Sequence, residues 1–190
     1  MELIVSQAAM HVASPVVSLT CAFRINSTQS IILFCNNSNM SNTFDLSKPV
    51  AIGCDHAGFE YKEAIKKWLE DKGLHVKDFG TDSPVSVDYP DFAHPTASFV
   101  ESGEAAFGIL ICGSANGVAM TANKHQHIRA GICWQNEVAK LIRLHNDANI
   151  IAIPARFVAL PLALDMIETF MTTAFEGGRH GRRVEKMACS

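Results

Sequence analysis

From Val50 onward the chain repeats one theme, a short apolar run followed by a stretch whose apolar residues recur at helical spacing. Val50-Ala51-Ile52-Gly53-Cys54 is the first run. After it Tyr61, Ile65, Trp68 and Leu69 fall on one helical face, with Glu63 and Lys67 spaced to pair and Gly73 placed to end the helix. His75 to Phe79 alternates as a second strand, and a loop with Pro84, Asp88, Tyr89 and Pro90 leads into a helix through Phe92, Thr96, Phe99 and Val100. The third run, Phe107 to Ile111, stops at Cys112, before a helical Val118 to Lys124. Ile128 to Cys133 and Ile150 to Ile153 complete the strands. Val138, Leu141, Ile142 and His145 line the helix between them, and Leu162, Met166, Ile167 and Phe170 face inward on the last helix. Such alternation predicts an α/β fold, a three-layer α/β/α Rossmann-like sandwich around a five-stranded parallel sheet.

Residues 1–47 do not share the pattern. They are rich in Ser, Thr and Asn, and their formal charges are Glu2, Arg24 and Asp45. That is too few positive charges for a secretory leader or a mitochondrial presequence. We expect residues 1–47 to be an N-terminal extension, disordered or the product of an upstream mis-start with Met40 as the natural start, and residues 48–190 to be the functional domain.

A chain of 190 residues that is 48% hydrophobic can bury a full core without disulfides. With a net charge of −3 and dispersed basic residues, it has no stripe to hold nucleic acid, so a small-molecule partner is expected. The six cysteines include no CxxC pair, which fits a reducing, cytoplasmic setting better than a zinc site or disulfide framework. No apolar run approaches the length of a membrane span.

In parallel α/β folds ligands collect at the C-terminal ends of the strands. The two richest ends are Asp55-His56 and Cys112-Gly113-Ser114-Ala115-Asn116-Gly117, and the order of the first three units allows them to be neighbours. Unpaired N–H groups at a helix start attract an anion and favour a thiolate, so the second end offers a base beside an anion hole. The plainer alternative is an ordinary turn with a structural cysteine. Asp55 and His56 can grip hydroxyls or shuttle protons, or Asp55 can simply cap the next helix. His145-Asn146-Asp147 can be chemical, or a helix end with Asn in a left-handed conformation. Arg179 and Arg183 are four apart and on a helix would offer two cations to one phosphate; the alternative is a solvated basic tail. Arg156 is a lone cation after the fifth strand. Gly113 to Gly117 echoes a dinucleotide fingerprint but lacks its third glycine and distant acid.

The chain resembles the type B ribose-5-phosphate isomerases and their galactose- and allose-6-phosphate isomerase relatives. The likeness runs through GCDHAG (Gly53 to Gly58), DYPDFA (Asp88 to Ala93), ILICGSANG (Ile109 to Gly117), ANK (Ala122 to Lys124), RLHNDAN (Arg143 to Asn149) and EGGRH (Glu176 to His180). The resemblance implies interconversion of ribose 5-phosphate and ribulose 5-phosphate through a cis-enediolate. Cys112 would be the general base, Ser114 would assist proton movement between the oxygens, and His145 would help open the sugar ring. It implies that Asp55, His56 and Tyr89 hold the sugar, that the N–H groups from Gly113 through Ala115 to Gly117 stabilise the oxyanion, and that Asn146 makes an oxyanion or hydroxyl contact. Arg156, Arg179 and Arg183 would bind substrate, the last two at the phosphate. It implies no metal or organic cofactor, and a homodimer or homotetramer whose sites are shared between subunits. Val118 stands where one branch of the family carries a glutamate base, which places this chain in the cysteine branch. Ala115 stands where glycine is common, a cost if that position needs a positive φ. The alternatives are a hexose 6-phosphate isomerase with the same chemistry and a sugar-phosphate-binding protein that has lost catalysis.

Overall fold

A strand that is apolar on both sides must be covered on both sides, and that requirement builds the molecule. The structure, a computed structural model, describes residues 44–188. Its strands are β1 (Val50–Cys54), β2 (Val76–Asp78), β3 (Gly108–Cys112), β4 (Ala130–Ile132) and β5 (Ile150–Pro154), in one sheet of order β2-β1-β3-β5-β4 with every pairing parallel. Its helices are α1 (Phe59–Asp71), α2 (Pro90–Glu101), α3 (Asn116–Ala122), α4 (Asn136–Asn146), α5 (Leu160–Thr172) and α6 (Arg179–Val184), with a 3-10 turn over His56–Gly58 ahead of α1.

Alternate strand residues feed two cores. Val50, Ile52, Ile109, Ile111, Ile151 and Ile153 pack against Ile65 and Leu69 of α1, Ala139 of α4 and Met166, Ile167 and Phe170 of α5. On the opposite face Ala51, Leu110, Ile150 and Ala152 meet Ala93 and Ala97 of α2 and Val118, Ala119 and Ala122 of α3. The expected three-layer sandwich is therefore present. Among the described residues no helix is long and apolar enough to cross a membrane.

Several local expectations are corrected. Strands β2 and β4 have three residues each, shorter than the runs His75–Phe79 and Ile128–Cys133 that suggested them; both are edge strands, paired on one side only. Helix α3 begins at Asn116, two residues before Val118. Lys67 pairs with Asp71 at 3.0 Å, while Glu63 pairs with Lys62 at 2.8 Å. Gly73 does end α1, at φ +80°. On α4 Leu141 is exposed and Arg143 is buried. The Arg143 guanidinium sits 4.4 Å from the Phe44 ring and 2.9 Å from Asp147 Oδ1, and it also donates to the Ala148 carbonyl. A charged side chain with partners on every side thus takes a place that periodicity alone assigns to an apolar one.

Phe44 packs its ring against Phe107, tilted, and Phe170, stacked, with centroids 4.9 and 5.5 Å away, and Leu46 packs nearby, so the core draws on residues ahead of the boundary expected at Lys48. The rest of the expected extension, residues 1–43, lies outside the described residues.

Strand β1 has β2 on one side and β3 on the other, so the chain reverses its direction across the sheet between them. A crevice opens at the C-terminal ends of β1 and β3.

Candidate active site

Register places Cys54 opposite Ile111, which brings the next residues of both strands, Asp55 and Cys112, together in that crevice. Asp55 is buried and uses its two carboxylate oxygens differently. Oδ1 accepts from the N–H groups of Ala57 at 3.0 Å and Gly58 at 3.2 Å, capping the 3-10 turn, and Oδ2 accepts from the Cys112 thiol at 2.9 Å. The cap expected as one alternative is present, and the second oxygen is at the same time committed to Cys112.

The expectation of a lowered thiol pKa is overturned. The backbone N–H groups of Ser114 and Ala115 do point at the sulfur and favour the thiolate. Burial of the partly buried sulfur, and then the Asp55 carboxylate, outweigh them and push the Cys112 thiol above its ordinary value. A seven-residue helix supplies too little field to win against a carboxylate in contact. Burial alone pushes Cys133 up to about 12, and burial chiefly does the same at Cys54, marking both as inert.

The turn after Cys112 is shaped by Ala115, which is buried at φ +61° and ψ −4°. The positive φ considered from sequence is thus present, on a residue with a methyl group. Gly117 comes two residues later, and there a Cβ would lie 2.6 Å from Tyr89 Cζ, so only glycine lets the Tyr89 ring rest on the start of α3. At Gly113 a Cβ would meet the Arg156 side chain at 3.1 Å, and the Arg156 N–H donates to the Gly113 carbonyl at 3.1 Å. Arg156 is thereby held over the loop. His56 Nδ1 accepts from the Val87 N–H at 3.4 Å. Asp55, His56, Cys112, Gly113, Ser114 and Arg156 line one open cavity of about 370 Å³, with exposed Phe157 at its mouth.

The remaining expected site residues are elsewhere. Helix α4 runs back toward the N-terminal ends of the strands, and β5 starts at Ile150 soon after it ends, so His145 and Asn146 sit at the rim opposite Cys112. Asn146 borders a cleft of about 450 Å³ with Arg129, Ile142 and Met187. That cleft is larger than the one at Cys112 but has no acid–base pair, so size does not decide which is the reactive site. Asp147, not Asn146, takes the left-handed conformation, at φ +47°. Arg179 and Arg183 are on α6, on one helical face as expected, and both are exposed. Within one chain the candidates therefore form two groups: Asp55, His56, Tyr89, Cys112 to Gly117 and Arg156 at one rim, and His145, Asn146, Arg179 and Arg183 at the other.

Sequence reasoning assigned no role to Glu176, His180 or Phe157. His145 Nε2 lies 3.7 Å and His180 Nε2 4.0 Å from the Glu176 carboxylate, and the donor atoms of these residues fall within 4.8 Å of one another. The cluster does not fit a metal ion as it stands. The two imidazoles are stacked 4° from parallel, so their in-plane lone pairs cannot converge on one ion, and Arg179 Nε–H already points at His180 Nε2. The only sequence signal for the cluster was the EGGRH block itself.

The chain belongs to the ribose/galactose isomerase family, which residues 50–187 match. Within that family it is an enzyme similar to ribose-5-phosphate isomerase B. The protein of that name from Escherichia coli K12 is 44% identical over 138 residues, 73% of this chain and 93% of the relative. Among solved structures, ribose 5-phosphate isomerase from Thermotoga maritima is 45% identical with a TM-score of 0.73, covering 74% of this chain and 97% of that one. Ribose-5-phosphate isomerase B from Clostridium thermocellum is 46% identical with a TM-score of 0.72, covering 73% and 94%.

Proposed function

We propose that the chain interconverts ribose 5-phosphate and ribulose 5-phosphate, with Cys112 moving a proton between C2 and C1. The observation that carries this reading is the Cys112 sulfur in the β1–β3 crevice, 2.9 Å from Asp55 and faced by the N–H groups of Ser114 and Ala115. The thiolate takes the proton from C2 of the open aldose, leaving a cis-enediolate. The resulting thiol returns the proton to C1, while the Ser114 hydroxyl carries a proton from O2 to O1. Negative charge develops on those oxygens in both steps, and the N–H groups of the Gly113 to Gly117 turn stabilise it where it forms. Asp55, His56 and Tyr89 hold the sugar, and Arg156 binds it from above the loop.

His145, Asn146, Arg179 and Arg183 reach the substrate from a second copy of the chain. In their own chain they lie at the far rim, and proton transfer requires heavy atoms about 3 Å apart. His145 opens the furanose ring, Asn146 contacts a hydroxyl or the oxyanion, and the two arginines grip phosphate in forked geometry. The active form is therefore a homodimer or a tetramer built from such pairs.

The test is Cys112→Ala, assayed with ribose 5-phosphate and with allose 6-phosphate and galactose 6-phosphate as competitors. Removing a general base is expected to lower turnover about a thousandfold while leaving the melting temperature near that of the parent. A variant that turns over at the parental rate would remove Cys112 from the chemistry, and turnover of a hexose phosphate in preference to the pentose would change the substrate.

A further inference from the structure

The end of α4 and the start of α6 meet through contacts that the proposed chemistry leaves unused. His180 is buried, at 5% exposure, whereas Arg179 beside it is open to solvent. Its ring lies face to face with that of His145, centroids 4.2 Å apart and planes within 4° of parallel. Its Nε2 accepts from Arg179 Nε–H at 3.3 Å. Accepting there requires a bare lone pair on Nε2, so the neutral ring carries its proton on Nδ1. The groups facing it are His145 from α4, Glu176 from the loop before α6, and Arg179 and Arg183 from α6 itself. Burial, then His145 and the arginines, hold its pKa below the ordinary value, with Glu176 pulling the other way. The segment is docked by the Glu176 N–H, which donates to the Leu144 carbonyl at 3.1 Å, and it turns through Gly177 and Gly178 at φ +69° and +56° to bring His180 against His145.

We propose that His180 is a positioning residue that presents His145 and Arg179 together to the sugar phosphate. The inference rests on the reading that those two residues serve the substrate. An exposed arginine loses rotamer freedom when it grips an anion, and a hydrogen bond that already fixes its Nε removes part of that loss before binding. An imidazole clamped against a parallel ring likewise keeps its nitrogens on one heading, which a proton transfer to the ring oxygen requires. When His180 gains a second proton its Nε2–H meets the Arg179 Nε–H, and the clamp turns repulsive.

Kinetics with ribose 5-phosphate on the full chain separate these roles. His180→Phe keeps the stack and loses the acceptor, so KM is expected to rise about fivefold with kcat little changed. His180→Gln keeps an acceptor near the Nε2 position and loses the stack, so kcat is expected to fall about fivefold with KM little changed. Below pH 6.5, the ordinary histidine value, the parental KM should climb more steeply than that of His180→Phe. The substrate phosphate titrates near pH 6, but that contribution is common to both proteins. Parental kinetics in both His180 variants, alongside clear defects in His145→Ala and Arg179→Ala, would overturn the positioning role and leave the substrate roles standing. Parental kinetics in His145→Ala and Arg179→Ala would overturn the substrate roles and the positioning role with them. Imidazole nitrogen NMR on the unsubstituted protein needs no variant to fold. An unprotonated His180 Nε2 at neutral pH is the expected result, and a proton there would overturn the proposal.

Discussion

A thiol that donates to a carboxylate at 2.9 Å gains a hydrogen bond it must give up on ionising, and the thiolate left behind faces a like charge. Burial, and then Asp55, thus keep Cys112 in its thiol form, and in the proposed role it would be a base held in reserve. Asp55→Asn keeps an oxygen for the Ala57 and Gly58 N–H groups, so the turn survives, and it removes the charge beside the sulfur. The midpoint for alkylation of Cys112 by iodoacetamide should then move to lower pH. This readout is independent of any contact between Asp55 and the sugar, and an unchanged or higher midpoint would mean that burial alone sets the thiol. Ala115 poses a second question at this scale, because its φ of +61° is strained for any residue with a Cβ. The left-handed conformation costs about 1 kcal/mol. Against that, the buried methyl returns about 0.8 kcal/mol, and a glycine would add about 0.4–1 kcal/mol of unfolded-state entropy to be lost. These oppose one another, so Ala115→Gly should change stability by less than about 1 kcal/mol in chemical denaturation. A larger gain would mean that backbone strain dominates the turn.

Between elements, the short edge strand β2 is tied down by charge. Lys62 of α1, buried to 3% exposure, reaches Asp78 at the end of β2 at 2.8 Å, with Lys66 a second donor at 3.3 Å. Burial works against the charge on both Lys62 and Asp78, but their pairing prevails. The lysine's pKa is raised and the aspartate's lowered. The signs define a window. The Asp78 contribution is present above the unfolded carboxylate value of 3.8 and disappears as pH falls through the lower folded value. The Lys62 contribution is present below 10.5 and disappears as pH rises through the higher folded value. Lys62→Met should cost about 2 kcal/mol at pH 7, and the gap between variant and parent should narrow in acid once Asp78 is protonated. A gap constant from pH 7 down to about pH 3 would assign the cost to packing rather than charge. Burial by neighbouring elements also decides which strands the chain alone reveals. Strands β1, β3 and β5 announce themselves because burial on both faces leaves unbroken apolar runs such as Ile150 to Ile153. The ends of β2 and β4 do not, because each edge strand leaves the ladder two residues before its neighbour ends, and no local pattern records that. Asp55 and Cys112 were legible as strand ends that could meet. Their hydrogen bond was not, since it depends on a register between residues 57 positions apart. Arg143 was hidden because its partners Phe44 and Phe170 come from distant parts of the chain.

At the scale of the whole molecule the decisive fact is the distance between the two groups of site residues. Along β3 and β5 the register runs from Gly108 opposite Ile150 to Cys112 opposite Pro154. Four strand steps of about 3.3 Å separate those levels by about 13 Å, and His145 lies beyond the lower one. No side chain closes such a gap, so on the proposed reading, in which both groups serve one substrate, a second copy would turn its α4–α6 end toward the β1–β3 crevice of the first. A two-fold axis does this for both sites at once. Next to that crevice Met120, Trp134 and Phe157 are exposed, an apolar margin suited to being covered. Symmetry then dictates how two defective chains behave when mixed. On that reading Cys112→Ala and His145→Ala should each be defective when made alone, because every site would lack one group. When the two chains are co-expressed and pair at random, about half the dimers are mixed, and each mixed dimer has one site with both groups and one with neither. Activity should recover to about a quarter of the parental value per site. Co-expressed chains that show only the sum of the two single variants would mean that each site is built within one chain. The far-rim residues would then have to reach Cys112 by a rearrangement of α4 and α6.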